Sequence, residues 1–231
     1  MEYHEFLEKK KINIKPCGFD IEKSQLNKHL FDWQKDIVKW ALKKGRCALF
    51  EDCGLGKSIQ QLSWAFEVCE KTNGKVLILA PLAVSTQTKQ EGLKFGIDVN
   101  VCENQGDVKQ GINITNYEKL DNFECSVFDG IVLDESSILK NSSGKIRTQI
   151  IKLFKDTKYK LACTATPAPN DFMDLGNHSE FLGVMSQTEM LSTFFVHDGG
   201  DTSKWRLKGH AEVKFFEWIA NWACVLQTPS D

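Results

Sequence analysis

Short apolar runs alternate along this sequence with longer segments of helical periodicity. In order, the runs are CALF at 47–50, VLILA at 76–80, VNVC at 99–102, INIT at 112–115, GIVLD at 130–134 and KLACT at 160–164. Most are continuously apolar, which is typical of strands covered on both faces. Helical patterns lie between them, for example over residues 31–43 and 58–70. The alternation predicts an α/β fold with a mostly parallel sheet flanked by helices.

The alternation stops after Pro167. Residues 171–231 contain no run that resembles the earlier strands. Their apolar residues with helical spacing are Phe215, Trp218, Ile219, Trp222 and Leu226. We interpret this aromatic stripe as the packing face of a helix. We therefore expect a helical C-terminal extension, ending in QTPSD, a polar and proline-containing exit typical of a linker.

Composition restricts the class of protein. The chain has 231 residues, of which 42% are hydrophobic and 26% charged, and its net charge is −2. This near-neutral balance excludes a surface that coats nucleic acid and leaves room for local contacts. No stretch approaches the ~18 apolar residues of a membrane span, and the N-terminus lacks a signal-peptide core. Eight cysteines occur without any CxxC pair, so we expect a cytoplasmic protein with no membrane partner.

The segment EDCGLGKS at 51–58 follows the first apolar run directly. Gly54 and Gly56 permit backbone angles that turn consecutive N–H groups into one concavity, and a helix beginning near Lys57 adds its positive end. Lys57 would reach the terminal phosphates of ATP, and the Ser58 hydroxyl would bind Mg²⁺. The residues expected to line the cradle are Cys53, Gly54, Leu55, Gly56, Lys57 and Ser58. Glu51 stands where the strict phosphate-loop pattern has glycine, so the segment alone also fits a tight strand-to-helix turn.

Two later runs end in polar residues that suit a nucleotide site. IVLDESS at 131–137 places Asp134 and Glu135 at the end of a strand, where Asp134 would hold Mg²⁺ and Glu135 would orient and deprotonate the attacking water. LACTATP at 161–167 places Thr164 and Thr166 where they could hydrogen-bond the acidic pair and the γ-phosphate. Ligands of open α/β sheets bind beyond the carboxyl ends of the strands. Taken singly, each run also fits a solvated or capped strand end.

In this order, the motifs resemble the first motor lobe of superfamily 2 DEAD/DEAH-type helicases and translocases, in the Swi/Snf-like branch with its phage and bacterial relatives. EDCGLGKS resembles D-E-M-G-L-G-K-T, LDESSILKN at 133–141 resembles D-E-A-H-x-x-K-N, and CTATP resembles L-T-G-T-P. LFDWQKDIVKWAL at 30–42 is similar to L-R-P-Y-Q-x-x-x-V-x-W-L, and NDFMDLGNHSEFL at 170–182 to N-N-x-x-E-L…F-L. Ser136 and Ser137 depart from the usual Ala-His.

The resemblance implies a RecA-like P-loop NTPase lobe that uses ATP and Mg²⁺ and contacts duplex DNA through its backbone. It implies that the Gln34 amide recognises adenine, because an amide can both donate to N7 and accept from N6–H. LAPLAVSTQ at 79–87 and ITNYEKL at 114–120 resemble its DNA-contacting motifs. The residues that would contact DNA phosphates are Ser85, Thr86, Thr115 and Asn116.

We expect residues 1–30 to form an N-terminal arm, 31–170 the ATP-binding lobe, and 171–231 the extension leading to a second RecA-like lobe that this sequence does not contain. The expected function is a DNA-dependent ATPase of helicase or translocase type, weakly active as this chain alone, because none of its three arginines matches the family's arginine finger. Three alternatives stay open: a P-loop kinase or small-molecule transferase, a non-catalytic nucleotide- or DNA-binding module, and a translocase subunit of a restriction-modification system.

Overall fold

A seven-stranded parallel sheet forms the centre of the computed structural model, which describes residues 15–140, 144–168, 171–198 and 201–228. In chain order the strands are β1 Arg46–Glu51, β2 Lys75–Ala80, β3 Val99–Val101, β4 Gly111–Asn116, β5 Gly130–Asp134, β6 Tyr159–Thr164, β7 Phe195–Asp198, β8 Asp201–Leu207 and β9 Ala223–Leu226. The order across the sheet is β3-β4-β2-β5-β6-β1-β9, and β7 and β8 form a separate antiparallel pair. The predicted α/β class with a mostly parallel sheet is confirmed.

In the part of the chain that the structure describes, seven α-helices accompany the strands. They are α1 Asp32–Lys44, α2 Lys57–Thr72, α3 Ser85–Lys94, α4 Lys145–Leu153, α5 Leu175–Leu182, α6 Gln187–Phe194 and α7 Glu212–Ala220. A short 3-10 segment, Ser136–Lys140, directly follows β5. The first two helices begin and end within a residue or two of the predicted patterns at 31–43 and 58–70.

Both faces of the sheet are buried, which explains why its strands read as continuous apolar runs. In β2, Val76 and Ile78 belong to one hydrophobic cluster with α1 and α2, whereas Leu77 and Leu79 belong to a second cluster on the opposite face. Successive side chains of a strand point to opposite faces, so a strand covered twice has no position for an exposed polar residue. All four of these side chains are fully buried.

The segment after Pro167 covers the second face with aromatic side chains. Phe215 on α7 lies 5.4 Å from Phe194 and 5.5 Å from Phe195, measured between ring centroids. Trp222 lies 5.3 Å from Trp218 and 6.0 Å from Phe50 of β1. Edge-on aromatic pairs of this kind bury large areas with favourable ring geometry. The C-terminal segment is therefore packed onto the sheet.

The expectation that no strand follows Pro167 is wrong. Besides α5, α6 and α7, the segment forms β7, β8 and β9, and β9 joins the main sheet beside β1, with Ala48 opposite Ala223 and Glu51 opposite Leu226. The reason is that β9 has only four residues, too few to show a pattern, and is stabilised by the open edge of β1. Phe215, Trp218 and Ile219 do share α7, but Trp222 and Leu226 lie beyond its end.

Some expectations fall outside what the structure describes. Residues 1–14 of the predicted arm and residues 229–231 of the predicted exit lie outside the described residues. The division of the chain at residues 30 and 170 stays a prediction. Across the described ranges, no helix is both long enough and apolar enough to cross a bilayer.

The packing of Trp222 predicts a large loss of stability when it is truncated. We expect Trp222→Ala to lower the free energy of unfolding by about 3–5 kcal/mol, because it leaves a cavity between α7 and β1. The matched control is Phe216→Ala. Phe216 is 44% exposed, so its truncation should lower the free energy of unfolding by about 1 kcal/mol or less. Urea unfolding followed by circular dichroism measures both free energies of unfolding. Equal losses would contradict the stabilising role of the contact between Trp222 and the sheet.

Candidate functional site

Strand order brings the three polar motifs to one edge of the sheet. β6 lies between β1 and β5, with Phe50 of β1 opposite Thr164 and Asp134 of β5 opposite Cys163. All three strands run parallel, so their carboxyl ends meet at the same edge. The glycine-bearing loop, the acidic pair and the threonine segment therefore lie next to one another, although up to 113 residues separate them along the chain.

The loop between β1 and α2 requires its two glycines. Gly54 has φ 87° and Gly56 has φ 77°, angles that L side chains rarely adopt. A Cβ added to Gly56 would lie 2.5 Å from Nε2 of Gln34, whereas one on Gly54 would meet nothing within 4 Å. Gly54 is therefore needed for its backbone angle alone, and Gly56 also for the close approach of α1.

Side-chain donors hold the carbonyl groups of this loop. Lys57 Nζ donates to the backbone oxygens of Glu51 at 2.7 Å and Asp52 at 3.0 Å. Leu55 O accepts from Nε2 of Gln34 at 2.9 Å and from Nε2 of Gln60 at 3.3 Å. Within the described part of the chain, no backbone N–H of residues 53–56 donates to a main-chain carbonyl. The carbonyls of Glu51, Asp52 and Leu55 are thus bound, and the loop amides are available to an anion beside the positive end of α2.

Gln34, predicted to recognise adenine, is buried against this loop. Its Oε1 accepts from the Phe31 N–H at 3.0 Å, which caps α1, and its Nε2 is bound to Leu55 as described. Only 3% of the residue is exposed. The structure places Gln34 at the loop, and its contact with a base stays a prediction.

The acidic pair occupies two different environments. The pKa of Asp134 is raised to about 6, mainly by burial; a hydrogen bond from Gln61 lowers it, neighbouring Glu135 raises it and the positive charge of Lys57 lowers it. Glu135 is exposed and has φ 53°, in the left-handed region that non-glycine residues seldom adopt. Tyr117 Oη donates to the Asp134 carbonyl at 2.7 Å. The strands that lead to the loop and to the acidic motif lie on either side of β6, so both segments are at the same edge of the sheet.

The threonine segment joins the acidic pair. Thr164 Oγ1 donates to Glu135 Oε2 at 3.3 Å and accepts from the Thr166 N–H at 3.1 Å. Lys140 Nζ donates to Thr166 Oγ1 at 3.2 Å. Thr164 is fully buried, whereas Thr166 is exposed. These contacts connect the end of β6 to the side chain of Glu135 through Thr164, whereas the Thr166 hydroxyl contacts Lys140; the role of both threonines at a γ-phosphate stays a prediction.

A buried histidine contacts the residue after the acidic pair. His178 Nε2 of α5 lies 3.0 Å from Ser136 Oγ in a hydrogen bond, and both residues are fully buried. Burial lowers the pKa of His178 to about 4, so the ring is neutral near pH 7. Its ring also meets the edge of Phe50 at 5.2 Å. Ser136, which departs from the usual alanine, therefore has a partner from the C-terminal segment.

Sequence reasoning missed several residues of this site: Glu51, Gln60, Gln61, Tyr117, Lys140 and His178. The two glutamines occupy buried positions of α2, surrounded by Ile59 and Leu62. Polar residues inside an otherwise apolar helical face were the available signal, because such residues need hydrogen-bond partners. His178 carried no comparable signal, since its partner is 42 residues away.

The residues predicted to contact DNA lie at the same edge, beyond β2 and β4. Leu79 is opposite Thr115 and Ala80 is opposite Asn116, and β2 leads within five residues to Ser85 at the start of α3. Their exposure differs: Thr86 is exposed, whereas the others are largely buried. Ser85 Oγ and Thr115 Oγ1 are buried and have no hydrogen-bond partner among the described residues, and Asn116 Oδ1 accepts from the Lys119 N–H. The structure places these four residues at the end of β4 and the start of α3, and their role stays a prediction.

The donor set fits a magnesium ion. Ser58 in the first turn of α2 supplies a hydroxyl, and Asp134 at the carboxyl end of β5 supplies a carboxylate. Mg²⁺ prefers oxygen ligands and keeps several waters or phosphate oxygens when it binds to one or two protein groups. Two oxygens beside an anion cradle match that preference.

Comparison with known proteins supports the same grouping of motifs. The SNF2-related domain family matches residues 33–195. The DNA annealing helicase and endonuclease ZRANB3 of Bos taurus is 26% identical over 223 residues, which cover 89% of this chain and 20% of that protein. The ISWI chromatin-remodeling complex ATPase ISW2 of Saccharomyces cerevisiae is 25% identical over 198 residues, which cover 74% of this chain and 18% of that protein. The chain thus spans a fifth or less of the length of these relatives.

Solved structures share the fold. The Sulfolobus solfataricus SWI2/SNF2 ATPase core in complex with dsDNA superposes with a TM-score of 0.71 at 24% identity, covering 91% of this chain and 47% of that chain. The UvsW helicase from bacteriophage T4 gives a TM-score of 0.56 at 18% identity, covering 68% and 58%. At this level of identity the likeness shows the fold alone, and it confirms the predicted RecA-like α/β lobe.

The Ser136–His178 contact predicts different effects for two adjacent serines. Ser136→Ala leaves Nε2 of the buried imidazole without a partner, so we expect the free energy of unfolding to fall by about 1–3 kcal/mol. Ser137→Ala, at a half-buried position, should change it by about 0.5 kcal/mol or less. Urea denaturation of both variants measures the difference. If both substitutions have the same small effect, the hydrogen bond does not contribute as described.

Proposed function

The chain belongs to the SNF2-related domain family, and on that premise we propose that it is the ATP-binding lobe of a DNA-dependent ATPase, of helicase or double-stranded DNA translocase type. The relatives named above include a DNA annealing helicase and a chromatin-remodeling complex ATPase. The observation that carries the proposal is the meeting of the glycine loop, Asp134, Glu135 and Thr164 at one edge of the sheet.

The loop is suited to hold a triphosphate. Lys57, Gln34 and Gln60 bind three carbonyls at this loop, and the amides of residues 53–56 are free to meet an anion. Among the described residues, the hydrogen bonds of Lys57 Nζ go to backbone oxygens. A phosphate would offer it a charged acceptor, which forms a stronger hydrogen bond than a neutral one. We therefore expect Lys57 to leave the carbonyls of Glu51 and Asp52 when ATP binds.

Hydrolysis is assigned to the acidic pair. Magnesium held by Ser58 and Asp134 would supply charge neutralisation for the phosphates when bound. Glu135 is exposed at the site and would orient the attacking water and accept its proton, because its carboxylate is fixed by the donated hydrogen bond of Thr164. The left-handed backbone of Glu135 ends the extended course of β5, and the bond between Ser136 and His178 holds the residue that follows.

DNA contact is proposed for the ends of β2 and β4. Ser85 and Thr115 each have a buried hydroxyl without a partner, and exposed Thr86 lies beside Ser85. A backbone phosphate would supply acceptors for these donors, and phosphate contacts position a protein without reading sequence. This surface adjoins the ATP site because β2 neighbours β5, with Leu79 opposite Leu133.

A second lobe is proposed as the partner that completes the site. Two of the three arginines are engaged elsewhere: Arg46 donates to the carbonyls of Thr157 and Lys158, and Arg147 pairs with Glu180 at 2.6 Å. The third, Arg206, lies on β8. Arginine directed at the γ-phosphate is a large factor in the rate of such enzymes. The aligned regions cover a fifth or less of these relatives, which leaves room for such a lobe in them.

Nucleotide binding tests the proposal directly. We expect Lys57→Ala to weaken binding of a fluorescent ATP analogue with Mg²⁺ by about 10–100-fold, because a charge-assisted hydrogen bond is worth about 1.5–3 kcal/mol. Fluorescence anisotropy titration measures the affinity. Lys71→Ala, at the opposite end of α2, is the matched control and should bind as the wild-type chain does. Equal affinity of the Lys57 variant and wild type would discard the phosphate role of the loop.

Turnover separates a motor lobe from a self-sufficient enzyme. We expect the 231-residue chain to hydrolyse ATP slowly, with little stimulation by duplex DNA, and Glu135→Gln to abolish the residual activity while retaining nucleotide binding. A phosphate-release assay with and without DNA measures this. Brisk DNA-stimulated hydrolysis by the chain alone would overturn the requirement for a second lobe. Residual turnover that survives Glu135→Gln would contradict the role of Glu135 as the base, and nucleotide binding without any turnover by the wild-type chain would favour the non-catalytic binding module.

The restriction-modification translocase subunit is a variant of the same motor assignment. It would use the same ATP site, so it differs from the main proposal only in the protein that the motor serves. Identification of the segments that adjoin this chain in its full-length gene product distinguishes the two.

A further inference from the structure

A buried carboxyl group lies beneath the phosphate loop at the position where the strict loop pattern has glycine. Glu51, the last residue of β1, is fully buried. Its Oε2 accepts from Gln60 Nε2 at 2.8 Å. Two other atoms of the same pair, Glu51 Oε1 and Gln60 Oε1, are buried and have no hydrogen-bond partner among the described residues. In the site described above, Gln60 supports the Leu55 carbonyl, but neither side chain is assigned a contact with the nucleotide or the metal ion.

The two unpartnered oxygens belong to groups that already touch. An ionised carboxylate and an amide oxygen both only accept hydrogen bonds, so neither can satisfy the other. Leaving both buried without a donor is costly, and a buried negative charge costs still more. One proton on Glu51 Oε1 removes both costs, because a neutral acid can donate to the amide oxygen while its other oxygen accepts from the amide N–H.

We propose that Glu51 carries this proton in the folded chain and forms a two-bond acid–amide pair with Gln60, and that the neutral pair positions the phosphate loop for a triphosphate. The positioning part rests on the proposed function. It follows from the contacts of the pair: Gln60 Nε2 also reaches Leu55 O, and the Glu51 carbonyl accepts from Lys57.

The surroundings of Glu51 favour the neutral form. Lys57 on α2 is the nearby cation. The other titratable groups that face Glu51 are the thiols of Cys163 on β6 and Cys224 on β9, whose pKa values are raised by burial and also by the charge of Glu51. Burial raises the pKa of Glu51 to about 7, against the lowering effects of the Gln60 hydrogen bond and of Lys57. The positive charge of Lys57 is therefore too weak to hold the pKa of Glu51 at its ordinary value.

Ionisation of Glu51 would act against ATP. A negative charge under the loop attracts Lys57 and repels the triphosphate, so ATP binds better to the protonated chain. The affinity for ATP should therefore fall as the pH rises through the pKa of Glu51 near 7. A neutral residue of the same shape at this position removes that dependence.

The effect on stability has a definite sign. The Glu51 pKa is about 7 in the folded chain and 4.5 in its ordinary state. Between these values the folded chain binds more protons than the unfolded chain, so the free energy of unfolding falls as the pH rises from about 4.5 to about 7 and then levels off. Glu51→Gln lacks this contribution and should lose less stability over the same interval.

The first experiment needs no nucleotide. Urea unfolding of the wild type and of Glu51→Gln is followed from about pH 5 to about pH 9, and the expected result is that the stability of wild type relative to the variant declines up to about pH 7. Glu67, whose pKa burial also raises to about 7, titrates in both chains and cancels. If the free energies of unfolding of the wild type and of Glu51→Gln change in parallel with pH, Glu51 does not carry the proposed proton.

A second variant guards against misfolding. Exchanging the two groups, with Glu51→Gln and Gln60→Glu together, keeps one acid and one amide and should restore the pH dependence of stability. In the wild type, ¹³C NMR of labelled glutamate should show a carboxyl that titrates near pH 7 and is absent from the spectrum of Glu51→Gln. If every labelled glutamate carboxyl except that of Glu67 titrates near its ordinary value, Glu51 is ionised near pH 7 and the proposal fails.

Nucleotide binding tests the positioning role. Titration of a fluorescent ATP analogue into both chains should give a ratio of wild-type to Glu51→Gln dissociation constants that rises about fivefold between pH 7 and pH 8. The ratio cancels the titration of the nucleotide itself. If neither chain binds nucleotide while the stability difference persists, the proposed function fails and the acid–amide pair stands. If both bind with a constant ratio, the pair has no positioning role.

Discussion

The parallel pairing of β6 with β1 on one side and β5 on the other is the constraint on which the rest of the site depends. Backbone hydrogen bonds fix Phe50, Thr164 and Asp134 near one level of the sheet. Each strand is followed by a short polar segment, and these segments meet because parallel strands end at the same edge. No direct bond between the glycine loop and the acidic pair is needed to bring them together. Both faces of the three strands are buried, so the arrangement is fixed by the same packing that stabilises the domain.

Buried polar groups hold the site in place from behind. Gln34, Gln60 and Gln61 are almost fully buried and contact the loop or the acidic pair. His178 and Ser136 do the same for the segment after Glu135. Buried polar groups that find partners fix one conformation, because every alternative leaves a donor or acceptor unsatisfied. The surface of the site therefore presents the exposed Glu135 carboxyl and the half-buried Lys57 amine on a rigid support.

The C-terminal segment is a structural part of this site. β9 extends the sheet beyond β1, and Leu226 O accepts from the Asp52 N–H at 3.0 Å, at the very start of the glycine loop. His178 reaches the acidic motif from α5, and Trp222 packs on Phe50. A change in the conformation of this segment would consequently alter contacts of both the loop and the acidic motif. In a motor protein, that is a useful position for the part of the chain that follows the lobe.

The sequence by itself determined the six strands from β1 to β6, the two helices that flank the loop, and the glycine and acidic motifs, because each is a local pattern of burial or turn chemistry. Only the tertiary structure decided three further features: β9, which needs the open edge of β1; the Ser136–His178 contact; and the pairing of Glu51 with Gln60. The physical reason is common to all three. A four-residue strand and a lone buried polar side chain have no periodicity of their own, and what they form depends on partners that the fold brings to them.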